Sequence, residues 1–488
     1  MPANPMFNPA DLIRFLPEII LTVMATLMMV LDPVIHRRSS NLFGALSLVA
    51  LAAAAAAAIY AYITQSGAAF GGMLSVDGFA TFFRVLVMVV GILTVLPSFR
   101  FLTIQDGETS EYHALLLFSI AGQSIMASAN DLIVIFIGLE ISSIASYILA
   151  DYFRDDKRAN EAAFKYFLLG SFATAFFLYG VALIYGATGS INLSTVHGVL
   201  SGPNAPREAF VGLSAAMMFV GLGFKVSASP FQVWAPDVYQ GAPTPVSGFL
   251  SAGPKAAAFA VFLRIFMTAF EPIGPGWEPV IWGSALLSMT IGNFAALLQS
   301  NVKRLLAYSS IAHAGYVLVA LTARRDTGVA AAMFYLAAYA FMNIGAFAAV
   351  SHLSGKGEQY QSLDDFAGLA QKQPLTAAML SIFLLSLIGV PLTGGFFGKF
   401  YIFKAALESH LVWLTVLGLL NSAVAAYYYL RILVMMYMRE PSEAASRAEP
   451  LSLGQRAALI LPAAGTLFLG IFPNWLLDFA GRSSTLLR

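Results

Sequence analysis

Cysteine does not occur in this chain. Disulfides, thiolate zinc sites and cysteine-ligated iron–sulfur clusters are thereby excluded. Charge is scarce too: only 11% of residues are charged, with 27 Lys and Arg against 26 Asp and Glu. A net charge of +1 argues against a nucleic-acid surface. Long polar segments are missing as well. The most polar stretches, 187–208, 354–374 and 438–452, are loop-sized, so no soluble domain or linker is expected. What remains is apolar: 58% of the 488 residues are hydrophobic, against about 45–50% in soluble domains. The bilayer is the solvent this composition calls for.

A membrane helix needs about 20 mainly apolar residues. The chain divides into such spans near 12–31, 42–62, 77–97, 112–129, 131–150, 161–186, 209–240, 244–269, 277–299, 301–322, 327–353, 375–408, 411–437 and 453–477, fourteen in all. The first, Leu12 to Leu31, is long enough to span and stay rather than act as a cleaved leader. The alanine run 52–58 suits a helix packed closely on a neighbour. Twelve basic residues follow odd-numbered spans: Arg37, Arg38, Arg100, Arg154, Lys157, Arg158, Lys303, Arg304, Lys356, Lys372, Arg439 and Arg447. After even-numbered spans come only Arg207, Arg324, Arg325 and, in the tail, Arg482 and Arg488. Basic loops favour the cytoplasm, which puts both termini on the non-cytoplasmic side.

Ionisable groups at mid-bilayer cost a few kcal/mol and usually have work to do. Glu140, Lys225, Lys255, His313 and Lys399 all fall centrally in apolar runs. Arg84, Arg264, Lys404 and Arg431 lie nearer span ends and are expected to snorkel to the interface. His313, with serine and tyrosine neighbours, also fits a hydrogen-bonded core residue. Glu161 and Lys165 share a helix face at i, i+4 spacing, which suits either a working pair or an end-of-helix device. Desolvation favours a neutral lysine and a nearby carboxylate favours the charged one, so a Glu–Lys pair can hold or release a proton. A sodium or calcium site would call for several carboxylates and carbonyls instead. The cargo suggested is protons.

Two of the spans are too long for one straight crossing, and both contain breakers. Ser227, Ser229 and Pro230 follow Lys225, while Pro391, Gly394 and Gly395 precede Lys399. Unwound backbone at membrane depth is tolerated only inside protein or beside water, and paired broken helices mark a transport pathway. Each break falls in the fourth of five consecutive spans. The fold expected is therefore an all-α polytopic membrane protein, a single transmembrane unit over 1–488. It holds two inverted five-helix repeats, 112–269 and 277–437, each with a broken helix.

The stretch FKVSASPFQVWAPDVYQGAPTPVSGFLS resembles the hallmark of the antiporter-like membrane subunits of respiratory complex I and of their relatives in multisubunit sodium/proton antiporters. KRLLAYSSIAHAGY and GVPLTGGFFGKFYIF are similar to the same family. With only eleven residues after the last span, the lateral helix of subunit L is not expected. Subunit M typically has a glutamate where Lys399 stands. The resemblance implies that Glu140 pairs with Lys225 and that Lys255 connects toward the centre. It implies too that His313 belongs to the second half, that Lys399 is the terminal site, and that Glu161 and Lys165 match charged family positions. A carboxylate at 399 should still titrate, so Lys399→Glu is expected to keep more function than Lys399→Ala.

The same resemblance implies a proton-translocating part of an NADH:quinone oxidoreductase in the bacterial inner membrane. Its neighbours would be an antiporter-like subunit M and a small subunit K, within the lipid bilayer and with no nucleic acid. No cofactor is expected in this chain; NADH, FMN, iron–sulfur clusters and quinone belong to other subunits. A multisubunit cation/proton antiporter is one alternative, to be distinguished by neighbouring genes. A secondary transporter of an organic solute is another, and it calls for a roomy midplane site around one substrate.

Overall fold

The computed structural model describes residues 8–35, 40–107, 110–324 and 326–484. Arg37, Arg38, Arg325 and Arg488 of the loop-charge pattern lie outside the described residues. The chain is almost entirely helical: α1 (Leu16–Ile35), α2 (Ser40–Gln65), α3 (Gly78–Ile104), α4 (Ser110–Ser128), α5 (Leu132–Ala150), α6 (Lys157–Thr188), α7 (Glu208–Lys225), α8 (Ala235–Gly241), α9 (Thr244–Arg264), α10 (Gly274–Leu297), α11 (Val302–Thr322), α12 (Asp326–Leu353), α13 (Pro374–Ile388), α14 (Gly394–Glu408), α15 (Val412–Met438), α16 (Leu453–Ile471) and α17 (Pro473–Ser484). A small antiparallel hairpin, β1 (Gly67–Ala69) and β2 (Leu74–Val76), links α2 to α3.

Polar residues at helix starts set the boundaries, because their side chains accept the first free backbone N–H groups. Asp77 caps α3, Asp131 caps α5, Asp156 caps α6 and Asn301 caps α11. Between such caps the helices are mainly apolar. Among the described residues, twelve helices are long and apolar enough to cross a membrane. Two expected spans are not among them. Helix α4 has the length but carries His113, Gln123 and four serines. The segment 375–408 is split into α13 and α14, each of 15 residues.

Helices α9, α11 and α12 form the centre, with 100%, 94% and 94% of their most apolar stretches buried. Helices α1, α6 and α15 lie outside, with 28%, 33% and 33% buried. Their exposed faces are phenylalanine- and leucine-rich, such as Phe164, Phe167 and Phe172 on α6, as lipid contact demands. The alanine run packs as its composition suggests. Ala50, Ala54, Ala57 and Ala61 form a buried stripe on α2, which packs against α3.

Both expected breaks are present. After Lys225 the chain leaves the helix through Ser227 (φ 60°), and before Gly394 it turns through Gly389 (φ 96°) and Leu392 (φ 71°). Left-handed backbone at a serine and a leucine is uncommon and persists only where surroundings enforce it.

The snorkelling expectation fails for two arginines. Arg84 has no exposed side-chain surface and pairs with Glu18 at 2.9 Å. Arg264 is 5% exposed and pairs with Asp77 at 3.0 Å. Each partner comes from a remote stretch of sequence, and a buried pair removes the need to reach water. Lys404 is exposed, 3.9 Å from Glu408 one turn on.

Candidate functional site

The first break sits between α7 and α8. Its unwound backbone is held by neutral groups. The Trp234 indole Nε1 donates to the Phe224 carbonyl at 2.9 Å, Ser229 N donates to Ser288 Oγ at 2.7 Å, and Ser284 Oγ donates to the Ser229 carbonyl at 2.5 Å. This satisfies the polar groups that the helix end would otherwise leave unpaired. Lys225, the last residue of α7, is left to donate to Ser143 Oγ on α5 at 2.7 Å, with the Tyr166 hydroxyl at 3.5 Å. The rings of Tyr147 and Tyr166 lie 5.7 and 5.5 Å from its Nζ, within cation–π range.

Glu140 lies one turn before Ser143, within electrostatic reach of Lys225. The two do not form a direct ion pair in this structure. Ser143 takes the ammonium instead, because the Lys225 side chain meets α5 at the turn after Glu140. Glu140 is half-buried, and its Oε1 is buried without a hydrogen-bond partner.

At the second break, Lys399 rises from the second turn of α14 and reaches back across the gap. Its Nζ donates to the carbonyls of Leu387 and Ile388, both at 2.9 Å, and to Ser422 Oγ at 2.8 Å. Those carbonyls end α13, where helix dipoles concentrate negative charge. A Cβ at Gly395 would collide with the Ser386 carbonyl oxygen; only glycine lets the half-helices meet here. The residue next to Lys399 in sequence turns away from it. Phe400 is 51% exposed, and the ring over the ammonium is Tyr316 of α11, 4.9 Å away.

Between the breaks lies a buried file of hydroxyls and nitrogens. Lys255, on α9, donates to the Ser310 carbonyl at 2.9 Å and to Ser310 Oγ on α11. The Tyr339 ring of α12 is 5.9 Å from Lys255 Nζ and 5.2 Å from the His313 ring. The Tyr339 hydroxyl is buried with no hydrogen-bond partner. His313 contacts the Tyr335 hydroxyl through Nδ1 and the Tyr429 hydroxyl through Nε2, the latter at 3.2 Å. A neutral imidazole has one N–H, so one hydroxyl accepts and the other donates. Tyr429 in turn contacts Ser309. The His313 and Tyr316 rings are 5.6 Å apart, which brings the file to Lys399. Lys255 and Lys399 thus flank His313, one across the Tyr339 ring and the other across the Tyr316 ring. Toward the first break, the Tyr239 hydroxyl donates to the Leu250 carbonyl at 3.3 Å, with Ser310 and Ser227 close by, and Trp234 stacks on Tyr166 at 4.5 Å.

Glu161 and Lys165 are not part of this file. They bond each other at 2.8 Å, with side chains 69% and 42% exposed. Lys165 also holds Asp237 of α8 at 2.8 Å, and Arg304 of α11 holds the other oxygen of Asp237 at 2.6 Å. Lys303, counted in the sequence as a loop cation, is fully buried and bonds Glu358 at 2.8 Å and the Ala242 carbonyl at 2.6 Å. Sequence reasoning missed Asp237, Glu358 and the tyrosines. The signal available was the run of mid-span tyrosines Tyr316, Tyr335, Tyr339, Tyr428 and Tyr429, which is unusual because tyrosine favours membrane interfaces. Among the described residues no group of three or more His, Cys, Asp or Glu could hold a metal ion.

Comparison with known proteins gives a consistent picture. Residues 129–425 match the family model described as NADH:quinone oxidoreductase/Mrp antiporter, TM. A protein named NADH-quinone oxidoreductase subunit N 1 from Solibacter usitatus (strain Ellin6076) is 75% identical over 489 residues, covering 100% of both chains. A chain of respiratory complex I from Thermus thermophilus, solved with bound aureothin, is 35% identical with a TM-score of 0.81, over 95% of this chain and 99% of that one. A chain of the Mrp complex from Dietzia sp. DQ12-45-1b shares the fold at 20% identity and a TM-score of 0.84, over 99% of this chain and 98% of that one.

Proposed function

We propose a proton-transfer function from a plain premise: the chain belongs to the NADH:quinone oxidoreductase/Mrp antiporter transmembrane family. Within that family it works as a proton-translocating membrane-arm subunit of the N type. Electrons pass from NADH to quinone in partner subunits that carry the redox centres, and this chain moves protons across the membrane. The observation that carries the reading is the buried file Lys255–Tyr339–His313–Tyr335/Tyr429–Tyr316–Lys399, bounded by the second helix break. Each member can take up or give up a proton at a nitrogen or hydroxyl, and the file is shielded from lipid on all sides.

In this reading Glu140 and Lys225 form the first half-channel, coupled through charge across Ser143. Lys255 receives the proton through the Ser227–Tyr239–Ser310 region, and His313 passes it to Lys399, the last site before the non-cytoplasmic side. Glu161 and Lys165 act at the rim, where Asp237 ties them to the first broken helix. The chain makes fourteen passages, with 112–269 and 277–437 as inverted repeats and both termini outside the cytoplasm. Its neighbours in the bacterial inner membrane are the antiporter-like subunit M and the small subunit K. The 75% identity to a named subunit N favours this over a stand-alone cation/proton antiporter, since the Mrp likeness at 20% identity supports the fold alone.

The test is proton uptake per NADH oxidised by the assembled complex in vesicles. Lys255→Met should lower it while leaving uncoupled NADH oxidation in place. Unchanged uptake with normal assembly would remove Lys255 from the route.

A further inference from the structure

A cleft of about 1010 Å³ opens on the membrane face between α2, α3, α12, α16 and α17. It belongs to none of the proton-transfer residues. Its walls are apolar, contributed by Ile63, Phe82, Val85, Phe341 and Phe468 among others. Helix α12 is otherwise nearly all buried, yet Phe341 remains partly uncovered at the floor of the cleft. The protein's central helix is thus left open to whatever fills this space.

The cleft has one polar end, built by α17. This helix begins at Pro473, just after α16 ends, and is amphipathic. It buries Leu476, Ala480 and Ser483 against α3 and α12. Its opposite stripe, at i, i+3 and i+7, presents Trp475, Asp478 and Arg482 at the mouth of the cleft. Trp475 is 69% exposed, the position of an indole at a membrane–water boundary. Asp478 and Arg482 are both exposed. The arrangement is an apolar slot running into the bilayer, with an acid, a guanidinium and an indole at its interfacial rim.

We propose that this cleft binds one membrane phospholipid as a fixed component of the protein. An acyl chain lies against Phe341 and Phe468, the phosphate sits at Arg482, and an ammonium headgroup is met by Asp478. The occupant is lipid because the slot opens where hydrocarbon surrounds the chain, and apolar walls left unfilled forfeit dispersion contacts. Guanidinium groups suit phosphate because their planar donors match its oxygens. Bound lipid also supports α12, which presents Tyr335 and Tyr339 to the proton file on its other side.

The experiment uses the full-length chain in mild detergent, stripped of lipid and incubated with phosphatidylethanolamine, with retention read by native mass spectrometry. Diazirine-bearing phosphatidylethanolamine maps the contact in parallel. One lipid per chain should survive, with photolabel concentrated on α2, α3 and α16. The occluding pair Val85→Phe and Ala464→Phe should weaken retention by at least about tenfold. Arg482→Gln should weaken it less, and Leu419→Phe, on the outward face of α15, should leave it unchanged. The proposal is overturned if label spreads evenly over all lipid-facing helices, or if the occluded variant retains lipid normally. It is equally overturned if, in the assembled complex, a neighbouring subunit cross-links into the cleft in place of lipid. Should the double variant fail to fold, the wild-type labelling pattern and Arg482→Gln decide the matter.

Discussion

The two helix breaks solve one problem in opposite ways. At the first, the freed backbone is satisfied by neutral donors and acceptors from Trp234, Ser284 and Ser288. Lys225 is left to hydroxyls, with a carboxylate in electrostatic reach. At the second, the ammonium of Lys399 is itself the cap on the end of α13. Among the described residues no carboxylate forms an ion pair with it; the end of a helix dipole and the Tyr316 ring take that part. The protonation state of Lys225 can therefore change without disturbing the broken helix. Loss of the proton from Lys399 removes a cation from a helix C-terminus. The second break couples charge to backbone, and the first separates them.

Substitution at Lys399 should have the largest effect. Lys399→Ala leaves two buried carbonyls without their donor, and proton uptake per NADH should fall by more than about tenfold, the equivalent of ~1.4 kcal/mol. Lys399→Glu should be as damaging. A carboxylate would face the carbonyls of Leu387 and Ile388, and this reverses the sequence-based expectation that glutamate outperforms alanine. A glutamate variant that pumps well would show that the carbonyl cap is incidental.

Next come the hydroxyls at His313. Tyr335→Phe and Tyr429→Phe each remove one ring-nitrogen partner, a loss of about 1 kcal/mol per hydrogen bond. Uptake should drop several-fold in each, and the double variant should lose less than the sum because both act through one imidazole. Additive losses would place the two tyrosines on separate routes.

At the first break the expected effects are smaller. Glu140→Gln and Lys225→Met should each lower uptake, with a coupling of roughly 0.5–1 kcal/mol in the double-variant cycle, since Ser143 intervenes. A coupling above that range would mean the pair closes into direct contact during turnover. Smallest of all is Asp237→Asn. The acid braces α8 between Lys165 and Arg304, but all three side chains are 29–42% exposed, so about 0.2–1 kcal/mol of complex stability is at stake. A thermal-shift comparison with wild type reads this directly, and a loss of pumping without loss of stability would move Asp237 into the route.

Much of this was legible in the linear chain. Glu140, Lys225, Lys255, His313 and Lys399 stood out because a charge in an apolar run is costly wherever it ends up. The breaks at Ser227–Pro230 and Pro391–Gly395 were legible because helix breakers act on their own backbone. Other features were hidden. Arg84 and Arg264 read as snorkelling groups because Glu18 and Asp77 are remote in sequence. Lys303 read as a loop charge, although Glu358 neutralises it inside the protein. The tyrosines around His313 carried no charge to draw notice, and Tyr429 meets it from 116 residues away.

The sequence by itself determined the solvent, the helices, the two breaks and the set of ionisable groups, because hydropathy, capping and helix breaking act within a few residues of where they are written. Only the tertiary structure decided who meets whom. Ser143 rather than Glu140 takes the Lys225 ammonium, and α13's own carbonyls take that of Lys399. Tyrosines from α12 and α15 close around His313. Those choices follow from the rotation and depth at which packed helices settle, which depend on the close packing of the whole bundle and are carried by no single span.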